Sequence, residues 1–294
     1  MSRIHRILSK AERDGTARRL AWPAEGEPIP AGNVRSMPNA WRTPQATASQ
    51  APLEPFTATP SPQESEDPTL MPARPVFGVK VNKLLVTAVE PFSPAAEQYR
   101  SLRARIVQAE GGYPRPVLAV TSPGRGDGKT MTAGNLALAM AQEFDRRAIV
   151  IDADLRNARL HSLLGIAREP GLVEVLTGAA RLEEALVSLP GHRLIVLPAG
   201  AGHTRPAELL GSAAMRRLLD VLRHQFDRLV VDGPPAHTAD ATALAAAADG
   251  VLVVVRAAST PRPAIERAIG VVPPAKLVGL VLTDSRPSDG TTPA

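Results

Sequence analysis

The chain has 294 residues, of which 44% are hydrophobic, and this length allows one or two globular domains. It contains no cysteine, which excludes disulfides and thiolate metal sites and is typical of a reducing compartment. The net charge is +5 and aromatic residues make up 3%, a composition that argues against a nucleic-acid-binding surface. We expect no signal peptide and no transmembrane helix, because every apolar run is far shorter than the roughly 20 residues of a span. The expected location is the cytoplasm.

The amino-terminal part is predicted to consist of a short helix and a linker. Residues 1–21 carry six basic and two acidic side chains, with Ser2 as a helix cap and Ile4 and Ile7 on one face. This pattern predicts a basic amphipathic helix that docks on a partner or an anionic membrane surface, with a frayed terminus as the alternative. Residues 22–76 hold 12 of the 29 prolines. Such a segment buries too little apolar surface to offset its ordering entropy, so we expect a disordered linker.

A globular domain is predicted from residue 77 to residue 285, followed by a flexible tail over residues 286–294. Near its start, Lys83–Val89 has the pattern of an edge strand. A helix is predicted over Ala95–Glu110, because Pro94 is favoured in the first turn of a helix. Three charged residues spaced three apart share one face of this helix: Glu97, Arg100 and Arg103. By spacing alone they indicate an exposed face with local ion pairs.

From residue 116 onwards, apolar runs alternate with helical patterns. The predicted strands are Val117–Thr121, Ala148–Asp152, Leu194–Leu197, Leu229–Asp232, Val251–Val255 and Val278–Leu282. The predicted helices are Thr130–Glu143, Leu172–Thr177, Leu182–Val187, Pro206–Leu210, Ala213–Phe226, Ala239–Ala247 and Arg262–Val271. Strands that are apolar throughout are typical of sheets covered on both faces. The alternation therefore predicts an α/β fold, a doubly wound and mostly parallel sheet with helices on both sides.

A glycine-rich turn joins the first of these strands to a helix. This arrangement is typical of a P-loop, because glycines let backbone N–H groups turn towards phosphates and the helix dipole points its positive end at the same place. Lys129 is expected to reach the β- and γ-phosphates, and the hydroxyl of Thr130 to ligate Mg²⁺. Pro123 stands where the strict motif has its first glycine. The residues expected to contact the nucleotide are Gly124, Arg125, Gly126, Asp127, Gly128, Lys129, Thr130 and Met131.

Two further predicted strands end in aspartate. One strand ends at Asp152 and continues to Asp154 and Arg156, and another ends at Asp232 before a Gly-Pro-Pro sequence. In a doubly wound sheet, ligands bind beyond the carboxyl ends of the strands, so these carboxylates are expected to converge on the loop that carries Lys129. Mg²⁺ prefers oxygen ligands, and phosphoryl transfer also requires a group that orients or deprotonates the nucleophile. The three strand ends together predict a Mg-nucleotide site.

The combination of GKT, DxDxR and DxPP at three strand ends resembles the bacterial tyrosine kinases of capsular and exopolysaccharide synthesis. These kinases are part of the wider MinD/ParA-like group of P-loop ATPases. The likeness covers about residues 84–283 and includes the helix with Glu97, Arg100 and Arg103. Those three residues are similar to the subunit-contact motif of the family, which implies a ring-shaped homo-oligomer. The resemblance implies ATP-dependent phosphorylation of protein tyrosine, with ATP and Mg²⁺ as cofactors.

The resemblance also implies individual roles. The catalytic residues would be Lys129, Asp152, Asp154 and Asp232, and the metal ligands Thr130, Asp154 and Asp232. Lys129 would bind the γ-phosphate, and Asp232 would hold a metal-bound water. Either Asp152 or Asp154 would act as the base for a tyrosine hydroxyl, and the sequence does not choose between them. Arg156 would orient the loop after the second strand.

Two features differ from the family, and two other functions stay open. Family members usually end in a tyrosine cluster, whereas this chain contains only Tyr99 and Tyr113. Their last strand usually ends in an asparagine that contacts adenine, where Thr283 stands here. The alternatives are a MinD/ParA-like switch ATPase that cycles between oligomeric states, and a nucleotide-binding assembly subunit without turnover. Gly124 stands where switch ATPases carry a lysine, and the intact Lys129 argues against the subunit without turnover.

The expected partners follow from the same resemblance. They are a membrane-embedded polysaccharide co-polymerase that activates the kinase, and further copies of this chain. No nucleic acid partner is expected. Contact with the membrane would be peripheral, at the inner face of the cell membrane. The six histidines show no metal-ligand spacing and are typical of structural or surface positions.

Overall fold

A mostly parallel, eight-stranded sheet forms the centre of the domain. The structure is a computed structural model that describes residues 73–110, 116–144 and 146–284. The predicted amino-terminal helix, the linker up to residue 72 and the carboxyl-terminal tail lie outside these residues. The strands are β1 (Arg74–Pro75), β2 (Val117–Thr121), β3 (Ala148–Asp152), β4 (Val187–Leu189), β5 (Leu194–Leu197), β6 (Arg228–Asp232), β7 (Gly250–Arg256) and β8 (Leu277–Thr283).

The strand order brings the candidate strand ends next to one another. The order is β1-β4-β5-β3-β6-β2-β7-β8, and every neighbouring pair is parallel except β4 with β5. Strands β2, β3 and β6 are apolar runs buried almost throughout, because helices cover both faces. Since β6 lies between β3 and β2, their carboxyl ends share one edge of the sheet. The predicted doubly wound α/β fold is confirmed.

Helices cover the sheet in two layers. Those of the described residues are α1 (Val86–Val89), α2 (Pro94–Ala109), α3 (Lys129–Ala141), α4 (Leu160–Leu164), α5 (Leu172–Thr177), α6 (Leu182–Ala185), α7 (Pro206–Leu210), α8 (Ala213–Gln225), α9 (Ala239–Ala247) and α10 (Arg262–Gly270). Leu136 of α3 and Leu160 of α4 belong to the hydrophobic core on one face of the sheet. Leu172 of α5 and Leu219 of α8 belong to the core on the other face. The alternating side chains of the central strands contribute to both cores.

Helix α3 is buried along most of its length because small residues let it lie close to its neighbours. A Cβ at Gly134 would come within 2.8 Å of Cδ2 of Leu85. The buried Asn135 accepts a hydrogen bond from the N–H of Thr87 (2.9 Å) and donates to the carbonyl of Leu84 (2.9 Å). These bonds fasten the segment before α2 to the helix that follows the glycine-rich loop.

The predicted edge strand at Lys83–Val89 is wrong. This segment forms a turn and helix α1, because Asn135 takes the backbone groups of Leu84 and Thr87 that a sheet ladder would need. The edge is instead formed by Arg74–Pro75, parallel to β4. Proline is tolerated there because an edge strand leaves one side without ladder hydrogen bonds. The structured part of the chain therefore begins before residue 77, within the segment predicted to be linker.

Two further differences concern short elements. The helix predicted over Leu182–Val187 ends at Ala185, because Val187 starts strand β4 and pairs with Val196 of β5. Helix α4 was not predicted from the sequence. It begins where the N–H of Leu160 donates to the carboxylate of Asp152, a contact between residues on two different elements.

Candidate nucleotide-binding site

The loop between β2 and α3 has the backbone conformation that a phosphate-binding loop requires. Gly126 and Gly128 have φ angles of 85° and 95°, in the left-handed region that favours glycine. Gly128 caps the amino terminus of α3, and a Cβ there would lie 3.2 Å from Cγ2 of Thr283 at the end of β8. The first N–H groups of a helix lack intrahelical partners and its dipole is positive at this end. The loop is therefore suited to bind an anion.

Lys129 is the first residue of α3, and a carboxylate holds its ammonium group. Its Nζ lies 2.6 Å from Oδ2 of Asp154 and 3.5 Å from Oγ1 of Thr130. The side chains of Lys129 and Asp154 are 11% and 2% exposed. Burial by itself would lower the pKa of Lys129, but the charges of Asp232 and Asp154 raise it above its usual value. The site thus presents a permanent positive charge beside the loop.

Asp152 and Asp232 lie side by side on neighbouring strands. They are register partners in β3 and β6, and both are fully buried. Burial, followed by the charge of Asp232, raises the pKa of Asp152 well above its usual value. Burial also raises the pKa of Asp232 to about 6, although Lys129 and the hydroxyl of Thr130 oppose the rise. Two such carboxylates are unfavourable unless a cation or hydrogen-bond donors compensate for their burial.

The two aspartates differ in their hydrogen bonds. Oδ2 of Asp152 accepts from the N–H of Leu160 (3.1 Å), and its Oδ1 accepts from the N–H of Asp154 (3.3 Å). Asp152 therefore shapes the loop between β3 and α4. Within the described residues, neither carboxylate oxygen of Asp232 accepts a well-formed hydrogen bond, although the hydroxyl of Thr130 lies nearby. Buried oxygens without donors are rare, and they suit a cation or its hydration water.

The donors at the loop fit a hydrated magnesium ion that is shared with phosphates. In the described part of the chain, no three His, Cys, Asp or Glu side chains are arranged to hold a metal by themselves. Mg²⁺ usually keeps several waters and binds one or two carboxylates together with phosphates. The hydroxyl of Thr130 and the carboxylates of Asp154 and Asp232 supply that smaller set. Because Asp154 is bound to Lys129, the two predicted ligands that stay available are Thr130 and Asp232.

Asp240, which no sequence motif marks, anchors the loop after β3. Arg156 donates to both of its oxygens, from Nε to Oδ2 at 2.6 Å and from Nη2 to Oδ1 at 3.2 Å. Asp240 is 2% exposed and lies in the first turn of α9, which Thr238 caps. The bidentate pair connects the loop that follows β3 to the first turn of α9, the helix after β6. An acid in the first turn of a predicted helix is visible in the sequence, but its pairing across the fold is not.

A cleft of about 590 Å³ opens beside the loop, between α2 and β8. Met131 and Thr283 form its wall next to Gly128. Tyr99 of α2 also lines the cleft, and burial raises the pKa of its hydroxyl. This volume is within the range of small-molecule sites and is sufficient for a nucleoside.

Of the charged trio of α2, Glu97 lines this cleft, whereas Arg100 and Arg103 do not. Arg100 donates from Nε to Oε2 of Glu97 (2.8 Å) and from Nη1 to a backbone carbonyl of the preceding loop (2.6 Å). Arg103 donates from Nη1 to the carbonyl of Ala139 (2.5 Å), near the carboxyl end of α3. Ala139 is ten residues beyond Lys129, which corresponds to about 15 Å along a helix. Arg103 therefore lies far from the loop, whereas Glu97 lines the cleft beside it.

These features define a P-loop nucleotide-binding protein: strand β2, the glycine-rich loop after it, and the carboxylates at the ends of β3 and β6. The sequence matches the AAA domain family over residues 116–268, just over half of the chain. It is 33% identical to the tyrosine-protein kinase YwqD of Bacillus subtilis (strain 168), over 62% of this chain and 77% of YwqD. The chain belongs to the family of bacterial tyrosine-protein kinases.

Two further comparisons agree with this assignment. The chain is 36% identical to the succinoglycan biosynthesis transport protein ExoP of Rhizobium meliloti (strain 1021), over 62% of this chain but only 23% of ExoP. The kinase domain of the Escherichia coli tyrosine kinase ETK has a TM-score of 0.65 at 26% identity, covering 71% of this chain and 83% of that one. The predicted family is thus confirmed.

Among the described residues, none of the helices combines the length and the apolar character that crossing a membrane requires.

Proposed function

We propose that this protein is an ATP- and Mg²⁺-dependent protein-tyrosine kinase that acts in exopolysaccharide synthesis or export. The observation that carries the proposal is the position of Lys129, Asp154 and Asp232 around one loop. A buried ammonium is held by one carboxylate, and a second carboxylate beside it has oxygens without donors. The relatives named as a tyrosine-protein kinase and as a succinoglycan transport protein support the reaction and the pathway.

Binding of the triphosphate is assigned to the loop and to Lys129. The N–H groups at the start of α3 and the Nζ of Lys129 would hold the phosphates, and this charge would stabilise the oxygens of the transferred phosphoryl group. The adenine base of the nucleotide would lie in the cleft beside Met131 and Thr283. Bound Mg²⁺ supplies neutralisation of charge on the β- and γ-phosphates. Thr130 and Asp232 would hold it.

Activation of the acceptor hydroxyl is assigned to the pair Asp152 and Asp154. The raised pKa of Asp152 brings its basicity closer to what general-base catalysis at neutral pH requires. Asp154 lies two residues further along, on the loop after β3, and holds Lys129. The ion pair between Arg156 and Asp240 holds this loop against the start of α9, so both carboxylates would keep their positions while the acceptor binds.

Incubation of the full-length protein with Mg-ATP and a tyrosine-containing copolymer tests this function. Immunoblotting and mass spectrometry should detect phosphotyrosine, and EDTA should abolish it. Transfer that continues in EDTA would contradict the proposed role of Mg²⁺. ATP hydrolysis without phosphotyrosine on any acceptor would identify the second candidate, a switch ATPase. That candidate is favoured by the scarcity of acceptors, since the chain contains only two tyrosines and Tyr99 is half-buried.

The partners follow from the same proposal. We expect a membrane-embedded polysaccharide co-polymerase as activator, and a cytoplasmic position with peripheral contact at the inner face of the membrane. ExoP, named as a transport protein and far longer than the region matched here, supports the link between kinase and export. The six basic side chains of residues 1–21 would attract an anionic lipid surface.

The charged trio of α2 is proposed to form the contact between subunits. Replacing Arg100 by glutamate should convert the oligomer that forms with Mg-ATP into a folded monomer, because like charges would then face the partner subunit. Arg262→Glu on α10 is the matched control, since Arg262 also pairs with a glutamate one helical turn away. Size-exclusion chromatography with light scattering decides the outcome. An Arg100→Glu protein of unchanged mass, or a wild-type monomer at every concentration with Mg-ATP, would refute this interface.

A further inference from the structure

Asp127 is an acidic residue inside the loop that is proposed to bind phosphates. The residue is only 7% exposed. Oδ2 accepts a hydrogen bond from the N–H of Gly124 (2.8 Å), and Oδ1 accepts one from the hydroxyl of Thr260 (2.8 Å). A carboxylate without such donors would repel phosphate at close range. Here each oxygen of Asp127 is bound within the protein.

The hydroxyl of Thr260 has a defined donor direction. Its Oγ1 accepts a hydrogen bond from the N–H of Arg256 (3.1 Å), and the N–H of Thr260 donates to the carbonyl of Arg256 (3.0 Å). Since a backbone N–H can only donate, the proton of the Thr260 hydroxyl is free to point at Asp127. The guanidinium group of Arg256 is paired with Asp284 (2.9 Å). Thr260 is therefore a donor on a closed turn between β7 and α10.

Thr283 holds the main chain of the same loop residue. Its hydroxyl donates to the backbone carbonyl of Asp127 (2.7 Å), and its own carbonyl accepts from the N–H of Ala257 (2.9 Å). On its other side the loop is held by the segment that follows β6, where the N–H of Ala236 donates to the carbonyl of Ser122 (2.8 Å). Hydrogen bonds from three neighbouring strand ends thus fix the loop.

We propose that Thr260 and Thr283 are positioning residues for nucleotide binding. Together with Asp127 they form a clamp, here called the threonine clamp, that keeps the N–H groups of the loop in the geometry that phosphates require. The inference rests on the proposed function, because it takes the loop to bind a nucleoside triphosphate. Binding is stronger when the loop is already ordered, since less conformational entropy is lost when the ligand arrives. The clamp acts through the loop and does not touch the reacting atoms.

Replacement of Thr260 by valine tests the clamp, because valine keeps the shape of threonine and removes the hydroxyl. We expect the Kd of a fluorescent ATP analogue and the KM for ATP to rise about tenfold, while kcat changes less than about threefold. Thr260→Ser keeps the hydroxyl and should restore the Kd to within about threefold of the wild type. Thr177→Val is the matched control, since Thr177 on α5 donates only within its own helix and should leave the Kd unchanged.

Amide hydrogen exchange of the loop, measured without nucleotide, gives a second readout that does not require any activity. Exchange of the amides from Gly124 to Lys129 should be faster in Thr260→Val and normal in Thr260→Ser. Wild-type Kd and exchange in Thr260→Val would overturn the clamp, as would a serine variant as impaired as the valine variant. Absence of phosphotyrosine with intact ATP binding would refute the kinase proposal alone. If the wild type binds no nucleotide, both the proposed function and the clamp are wrong.

Discussion

Replacing Lys129 by methionine is expected to lower ATP turnover about 100- to 1000-fold. The Nζ of Lys129 is a fixed positive charge at the loop, 2.6 Å from Asp154, and methionine keeps much of its length without the charge. The N–H groups at the start of α3 remain, so affinity for the nucleotide should fall far less than turnover. Steady-state hydrolysis of ATP and titration with a fluorescent analogue measure the two effects separately.

The same substitution should also destabilise the protein. The side chain of Asp154 is 2% exposed and would lose its cation. Removing one partner of a buried ion pair lowers the free energy of unfolding by about 3 kcal/mol. The double variant Lys129→Met with Asp154→Asn should regain this stability and stay inactive. Lys276→Met is the matched control and should leave turnover unchanged. Nζ of Lys276 donates to the carbonyls of Ala245 and Ala246 at the end of α9, and not to a group of the proposed site. Wild-type turnover in the folded double variant would show that the loop is not the site.

Replacing Asp232 by asparagine is expected to lower turnover about 100-fold and to stabilise the protein in the absence of ligands. Asp232 is fully buried with oxygens that lack donors, and burial raises its pKa to about 6. At neutral pH the folded protein must hold this carboxylate ionised, at a cost of about 3 kcal/mol. Asparagine carries no charge, so it removes that cost together with the ability to bind a cation.

The raised pKa of Asp232 also predicts how the stability of the protein changes with pH. Well below pH 4 Asp232 is protonated in both the folded and the unfolded chain, and its ionisation does not affect stability. Between pH 4 and 7 the unfolded chain ionises first, so the free energy of unfolding should fall as the pH rises. Asp232→Asn should show a smaller fall, and the remainder would come from Asp152, whose pKa is raised in the same direction.

Urea unfolding at pH 5 and pH 7.5 measures this difference. Asp220→Asn is the control for the loss of an aspartate, because Asp220 is an exposed partner of Arg223 and its replacement should leave turnover unchanged. Full Mg²⁺-dependent activity in Asp232→Asn would show that this strand end does not serve the metal. An unchanged pH slope would show that Asp232 is not the buried group that titrates.

The sequence by itself determined the fold class, the central strands and the glycine-rich loop. These features are local: continuous apolar runs form strands that are buried on both faces, and glycine is required where the backbone enters the left-handed region. The aspartates at the ends of β3 and β6 are equally visible, since a polar residue ends each apolar run. For this reason the candidate residues Lys129, Asp152, Asp154 and Asp232 follow from the sequence, while their roles stay predictions.

Only the tertiary structure decided which of these groups lie in contact. The insertion of β6 between β3 and β2 makes Asp152 and Asp232 neighbours, and it leaves Asp232 with buried oxygens that lack donors. The partners of Arg156 and Asp127 come from distant loops. The segment Lys83–Val89 has a strand pattern, yet it becomes a helix because the side chain of Asn135 binds its backbone. Each of these outcomes depends on hydrogen bonds and charges between residues far apart in the chain, which local pattern and spacing do not encode.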